Sequence, residues 1–233
     1  ATGAFGKLVL GFEWLESLLI GAVISSTDAA SVFSVLRSKK LNLRYGTASI
    51  LELESGSNDP WAYMLTVIIL SVMKGGATAG GFVVSLLAQV FFGVGFGALI
   101  SLGAVYLIKR VRFDAAGFDA IFVTAIAILS YALPSAVGGN GYLSCYIVGI
   151  VLGNTKISGK TALVHFFDGI TGFTQILLFF LLGLLAFPSQ MPSIILPAAA
   201  IALFLTFVAR PVAVTVIMKP FGAKWKQIAL ISW

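Results

Sequence analysis

The chain has 233 residues, 59% of them hydrophobic and only 10% charged, with a mean hydropathy of +1.03. A typical soluble domain is about one-quarter charged, so a water-soluble globular protein is excluded. The net charge of +6 raises nucleic acid as a partner, but 12 of the 15 Lys and Arg residues gather in short clusters between apolar runs, without aromatic interleaving, which excludes that too.

Apolar runs of about 18 residues or more can cross roughly 30 Å of hydrocarbon as helices. In chain order they predict spans at 12–36, 46–73, 80–108, 119–135, 141–155, 165–187 and 193–218, with a further apolar run opening near 227. The first span contains Ser25-Ser26-Thr27-Asp28. Short polar side chains compete for backbone hydrogen bonds, so this run predicts a helix break, with Asp28 near the N-terminus of the second half-helix. A plain Ser/Thr/Asp packing patch is the alternative. The second span holds the block from Glu52 to Pro60, and the third holds Gly93, Gly95, Gly97 and Gly103. Glycines at i and i+4 let helix backbones approach closely. The GVGFG run at 93–97 follows no strand, so a phosphate-binding loop does not fit. The span at 141–155 is short for a full crossing and fits a tilted, broken or re-entrant segment.

The basic clusters are Arg37, Lys39, Lys40 and Arg44; Lys109, Arg110 and Arg112; Lys156 and Lys160; and Lys219, Lys224 and Lys226. They alternate with connections at 74–79, 135–141 and 187–193 that hold one Lys between them. This is the positive-inside pattern, which predicts cytoplasmic basic loops and an integral membrane protein whose first partner is the lipid bilayer. The opening ATGAFGKLVL has no initiator Met and no signal-peptide features, and the closing IALISW starts a new apolar run. Both ends are expected to be cuts through a larger protein. Cys145 is the only cysteine, so no intrachain disulfide is expected.

Among the nine acids, those inside spans carry the chemical information. Asp28 falls near mid-bilayer, where an Asp costs roughly 2.5–3.5 kcal/mol and should face a cavity, a partner or an ion. In the second span, Ser55 and Asp59 are four residues apart on one helix face, as are Glu54 and Asn58, and the two faces adjoin. Hydroxyl, amide and carboxylate oxygens therefore converge at one level. Oxygen donors suit a hard monovalent cation, and one Asp can hold either a proton or that cation. A second carboxylate, Glu54, needs a positive partner. Arg210 is the only basic residue embedded in a span, so Glu54 and Arg210 are expected to pair and tie two helices together. Glu52 projects about 200° from Glu54, and its role stays open.

Enzymatic readings fare poorly. His165 is the only histidine, so neither a zinc site nor a Ser-His triad can be assembled. Gly56-Ser57-Asn58-Asp59 lacks the second Gly of the Gly-x-Gly-Asp motif of intramembrane aspartyl proteases, and Thr27-Asp28 lacks their Tyr. The chain is expected to be a secondary active transporter rather than an enzyme. The competing class is a non-transporting or channel-like assembly, in which the polar cluster lines a pore or glues helices.

Several motifs resemble the NhaP-type members of the cation/proton antiporter 1 family. They are Ser26-Thr27-Asp28-Ala29-Ala30, Glu54-Ser55-Gly56-Ser57-Asn58-Asp59-Pro60, Gly138-Gly139-Asn140-Gly141-Tyr142-Leu143, Gly149-Ile150-Val151-Leu152-Gly153-Asn154 and Ala209-Arg210-Pro211. The wording around the Glu-Ser-x-x-Asn-Asp block looks most like the bacterial potassium/proton members. The resemblance implies an all-α integral membrane fold: about seven transmembrane helices of a larger inverted-repeat antiporter with a discontinuous helix. Residues 1–233 would be a fragment of one transport domain, with core-type helices at about 12–73 and 193–218 and interface-type helices at about 80–187.

It further implies exchange of K⁺ or Na⁺ for H⁺ by alternating access, with no cofactor beyond the transported ions. The Thr27 carbonyl, Ser55 and Asp59 would bind the cation, and Asp59 would exchange it for a proton. Asp28 and Asn58 would stabilise the crossing helix ends, Glu54 and Arg210 would form a structural ion pair, and Asn58 in place of a second Asp would go with electroneutral exchange. The full-length protein would be a homodimer in a bacterial inner membrane, with further N-terminal and C-terminal helices and no role for nucleic acid.

Overall fold

The computed structural model describes residues 1–27, 46–75, 79–110, 117–157 and 159–232. Asp28 and the basic cluster at 37–44 lie outside the described residues. The described residues are helical, without strands: α1 Thr2–Leu8, α2 Trp14–Val23, α3 Thr47–Met73, α4 Ala79–Arg110, α5 Phe118–Ala136, α6 Gly141–Asn154, α7 Lys160–Leu185, α8 Met191–Phe204, α9 Arg210–Met218 and α10 Trp225–Ser232. They fall into two compact units, one of Ala1–Gly76 with Phe187–Trp233 and one of Ala77–Ala186.

Burial is inverted relative to a soluble protein. Phe173, Ile176 and Leu185 are exposed on α7, whereas Ser55, Ser130, Asn140 and Ser144 are buried. Large apolar side chains outside and small polar ones at the helix seams are what a hydrocarbon solvent selects, because burying a Leu against another helix gains little over leaving it in lipid. Among the described residues, four stretches are long and apolar enough to cross a membrane: Gly80–Arg110, Phe118–Ala136, Lys160–Leu185 and Pro188–Phe221. Helix α3 has the length but carries Glu52, Glu54 and Asp59, while α2 and α6 are shorter apolar helices.

In the first unit, α1 packs along α2 through glycine. A Cβ on Gly3 would sit 3.0 Å from the Ser17 carbonyl oxygen, and one on Gly21 would sit 2.9 Å from the Gly3 nitrogen. Phe5 of α1 stacks on Phe204 of α8 with ring centroids 4.1 Å apart. Helix α2 ends at Val23, and Ile24–Thr27 leave helical geometry; Ser25 Oγ donates to the Ala22 carbonyl at 2.6 Å, competing for an acceptor at the helix end.

Two expected boundaries differ. The span expected at 165–187 begins at Lys160, after Gly159 turns with φ 69°; Lys160–Val164 form the first turn, and an apolar-run criterion stops short of that lysine. The single helix expected at 193–218 is interrupted by a π-helical turn at Leu205–Ala209. Pro211 explains it, since it has no N–H for the Phe207 carbonyl and its ring crowds that carbonyl. Helix α1 was not expected, because its seven residues are too few to read as a span.

In the second unit, Ala104, Ile126, Val148 and Leu152 form the core between α4, α5 and α6. Helix α6 lies against the glycine face of α4. A Cβ on Gly93 would be 2.9 Å from the Asn140 carbonyl oxygen and one on Gly97 3.1 Å from Ser144 Cα, whereas Gly95 and Gly103 meet nothing within 4 Å. Asn140, wholly buried, caps α6 by accepting from the Leu143 N–H at 3.0 Å.

Candidate functional site

The polar block of the chain lies in the first unit, where the non-helical end of α2 meets the middle of α3. Ser55 and Asp59 point the same way from adjacent turns of α3 and receive two successive residues of the incoming segment. The Ser26 hydroxyl donates to Asp59 Oδ1. The next residue, Thr27, places its Oγ1 2.9 Å from Ser55 Oγ. A helix here would turn consecutive side chains about 100° apart, so only a broken segment presents both hydroxyls to one face. The end of α2 and the oxygen cluster are therefore one feature, while the second half-helix expected after Asp28 lies outside the described residues.

Asn58 connects this contact to the ion pair. Its Nδ2 donates to Thr27 Oγ1 at 2.7 Å and to Glu54 Oε1 at 3.3 Å. Glu54 Oε2 in turn accepts from Arg210 Nη2 at 3.4 Å, and Arg210 Nε donates to the Ile231 carbonyl of α10 at 3.3 Å. A continuous polar chain thus runs from α10 through Arg210, Glu54 and Asn58 to Thr27 and Ser55. Pro60 follows the block directly and cannot donate to the Gly56 carbonyl, so the helix ladder loses a rung beside Asp59.

Of the residues expected from sequence, Thr27, Glu54, Ser55, Asn58, Asp59 and Arg210 come together; Asp28 lies outside the described residues. Thr27 enters through its hydroxyl. Glu52 joins none of these contacts among the described residues. Ser26 and the Ile231 carbonyl were not anticipated. Ser26 stood in the motif, but its contact depends on how the broken segment docks, and a main-chain acceptor leaves no trace in residue identity. A cavity of about 800 Å³ adjoins the cluster, lined among others by Ser26, Thr27, Glu54, Thr206 and Arg210.

The donor set is a carboxylate, three hydroxyls and an amide, which is chemistry for a proton or a hard cation. A family model described as sodium/hydrogen exchanger, transmembrane, matches residues 1–233. The chain belongs to the sodium/hydrogen exchanger family. It is 39% identical over 235 residues to the K⁺/H⁺ antiporter NhaP of Alkalimonas amylolytica, covering 100% of this chain and 40% of that protein. It is 39% identical over 242 residues to the K⁺/H⁺ antiporter NhaP2 of Shewanella oneidensis, covering 100% and 41%. The Na⁺/H⁺ antiporter NhaS2 of Synechocystis is 25% identical over 246 residues, with 98% and 44% covered. The sodium proton antiporter MjNhaP1 of Methanocaldococcus jannaschii superposes with a TM-score of 0.82 at 22% identity, over 99% of this chain and 59% of that one. The fold is therefore that of this exchanger family, and the chain is an integral membrane segment spanning about two-fifths of the length of the curated relatives it matches.

Proposed function

We propose that the complete protein carrying this sequence is a secondary active antiporter that exchanges K⁺ or Na⁺ for H⁺ by alternating access. The observation that carries this reading is the docking of Ser26 and Thr27 onto Asp59 and Ser55, which gathers oxygens around one carboxylate inside an apolar helix assembly. Asp59 holds the proton and the cation in turn. Ser55 and Thr27 supply neutral oxygens that replace part of the cation's hydration shell, and Asp28 with Asn58 steadies the broken helix ends. Glu54 and Arg210 neutralise each other, so the exchanged charge resides on one group and exchange is electroneutral. The K⁺/H⁺ activity named for the relatives at 39% identity favours K⁺ as the cargo.

In this reading the helices at 12–73 and 193–218 belong to the moving core, and those at 80–187 support a homodimer through their exposed apolar faces. The protein resides in a bacterial inner membrane with its basic loops in the cytoplasm, and it works with its transported ions alone. The test is cation-driven dequenching of a pH-sensitive dye in everted vesicles containing the complete protein, with Na⁺, K⁺ and Li⁺ supplied separately. Asp59→Asn is expected to abolish the signal at every cation; normal exchange in that variant would sink the reading. Cation flux without proton movement would favour a channel-like assembly instead.

A further inference from the structure

The cavity beside the site reaches Ser25, Ser26, Thr27, Glu54 and Ser57, but Ser55 and Asp59 are not among the described residues that line it. Ser55 is 1% exposed. Ser26 and Thr27 both border the cavity and are bonded, in turn, to Asp59 and Ser55. Ser26 has two properties at once: it borders the cavity, and its hydroxyl is bonded to Asp59 Oδ1. Thr27 is engaged on both sides already, by Asn58 Nδ2 and by Ser55 Oγ.

Resting on the reading of Asp59 as the exchange carboxylate, we propose that Ser26 is a further cation ligand, stationed between the cavity and Asp59. In the cation-free site its O–H donates to Asp59 Oδ1. When a cation arrives from the cavity, rotation about Cβ–Oγ withdraws the hydrogen and presents an oxygen lone pair to the ion. A hydroxyl can serve both states because it carries one donor and two acceptor sites on a freely rotating bond. No backbone movement is required. The oxygen is neutral, so it strengthens cation binding without altering the charge exchanged per cycle, and it does so on the side from which the ion enters.

The experiment compares Ser26→Ala, Ser26→Thr and Asp59→Asn in the complete protein, measuring exchange rate against K⁺ and Na⁺ concentration at one pH. Removing one oxygen ligand is expected to raise the apparent KM about 5-fold or more in Ser26→Ala, with maximal rate within about two-fold of the parent. Ser26→Thr keeps the hydroxyl and is expected to keep the KM. An unchanged KM in Ser26→Ala, or an equal rise in Ser26→Thr, overturns the proposal. If Asp59→Asn exchanges normally, the site reading itself fails; if Asp59→Asn is silent while Ser26→Ala keeps the parental KM, only the role of Ser26 fails. Should Ser26→Ala lose exchange altogether, K⁺-dependent thermal stabilisation of the purified variant reads binding directly. A midpoint displaced to higher K⁺ supports the proposal, and an unmoved midpoint overturns it.

Discussion

Arg210 Nη2 lies 3.4 Å from Glu54 Oε2 although 156 positions separate the two residues in sequence. The guanidinium also binds the Ile231 carbonyl, so one side chain joins α3, α9 and α10. Both partners are about one-third exposed, which moderates the strength of the pair. A double-mutant cycle with Glu54→Gln and Arg210→Ala is expected to show coupling of about 1 kcal/mol. Thermal melting of the four purified proteins reads it. Strictly additive losses would show that the pair does not act as a unit.

Asn58 donates two hydrogen bonds through Nδ2, to Thr27 and to Glu54. Asn58→Ala removes both, at about 1 kcal/mol each. Asn58→Asp replaces the donor with an acceptor beside the Glu54 carboxylate, which adds like-charge repulsion to the loss. Its melting temperature at neutral pH is therefore expected to fall below that of Asn58→Ala. The reverse order would contradict the bridging role.

Two glycines of α6 provide a matched comparison. A Cβ on Gly141 would lie 2.5 Å from the Tyr131 carbonyl oxygen and 2.6 Å from Ser135 Oγ, while one on Gly149 meets nothing within 4 Å. Gly141→Ala is expected to destabilise by about 1–3 kcal/mol through overpacking. Gly149→Ala is expected to be neutral or to gain about 0.5–1 kcal/mol from reduced unfolded-state freedom. Melting temperatures of the two variants should move apart.

Asn140 is wholly buried and accepts from the Leu143 N–H at the start of α6. Asn140→Ala is expected to cost about 1–2 kcal/mol through loss of the cap. Equal melting temperatures for Asn140→Ala and the parent would remove the capping argument.

Much of the site was legible because helix periodicity is local. The spacing of Glu54, Ser55, Asn58 and Asp59 fixes their shared faces before any tertiary contact forms, and the polar run Ser25-Ser26-Thr27-Asp28 announces its own unsuitability as helix interior. Arg210 could be matched to Glu54 by scarcity, as the one cation embedded in a span. Ser26 could not be singled out, since its bond to Asp59 depends on the angle at which the broken segment reaches α3. The start of α7 at Lys160 was hidden for a different reason: hydropathy reports where the hydrocarbon begins, whereas the helix continues past that level into polar surroundings. The π turn also escaped a reading based on hydropathy, which is blind to the count of residues per turn.

That wide turn, at Leu205–Ala209, immediately precedes Arg210. An ordinary helix fixes the azimuth of every residue once its first turn is laid down, at about 100° per step. One additional residue in a single turn puts the segments before and after it out of phase, so the lipid-facing side of α8 and the guanidinium-bearing side of α9 are set independently. Shortening this stretch by one residue would restore a regular screw and swing Arg210 by about 100°, away from Glu54, with both partners of the pair unaltered. The partnership across the two helices is thus a matter of helical phase as much as of charge.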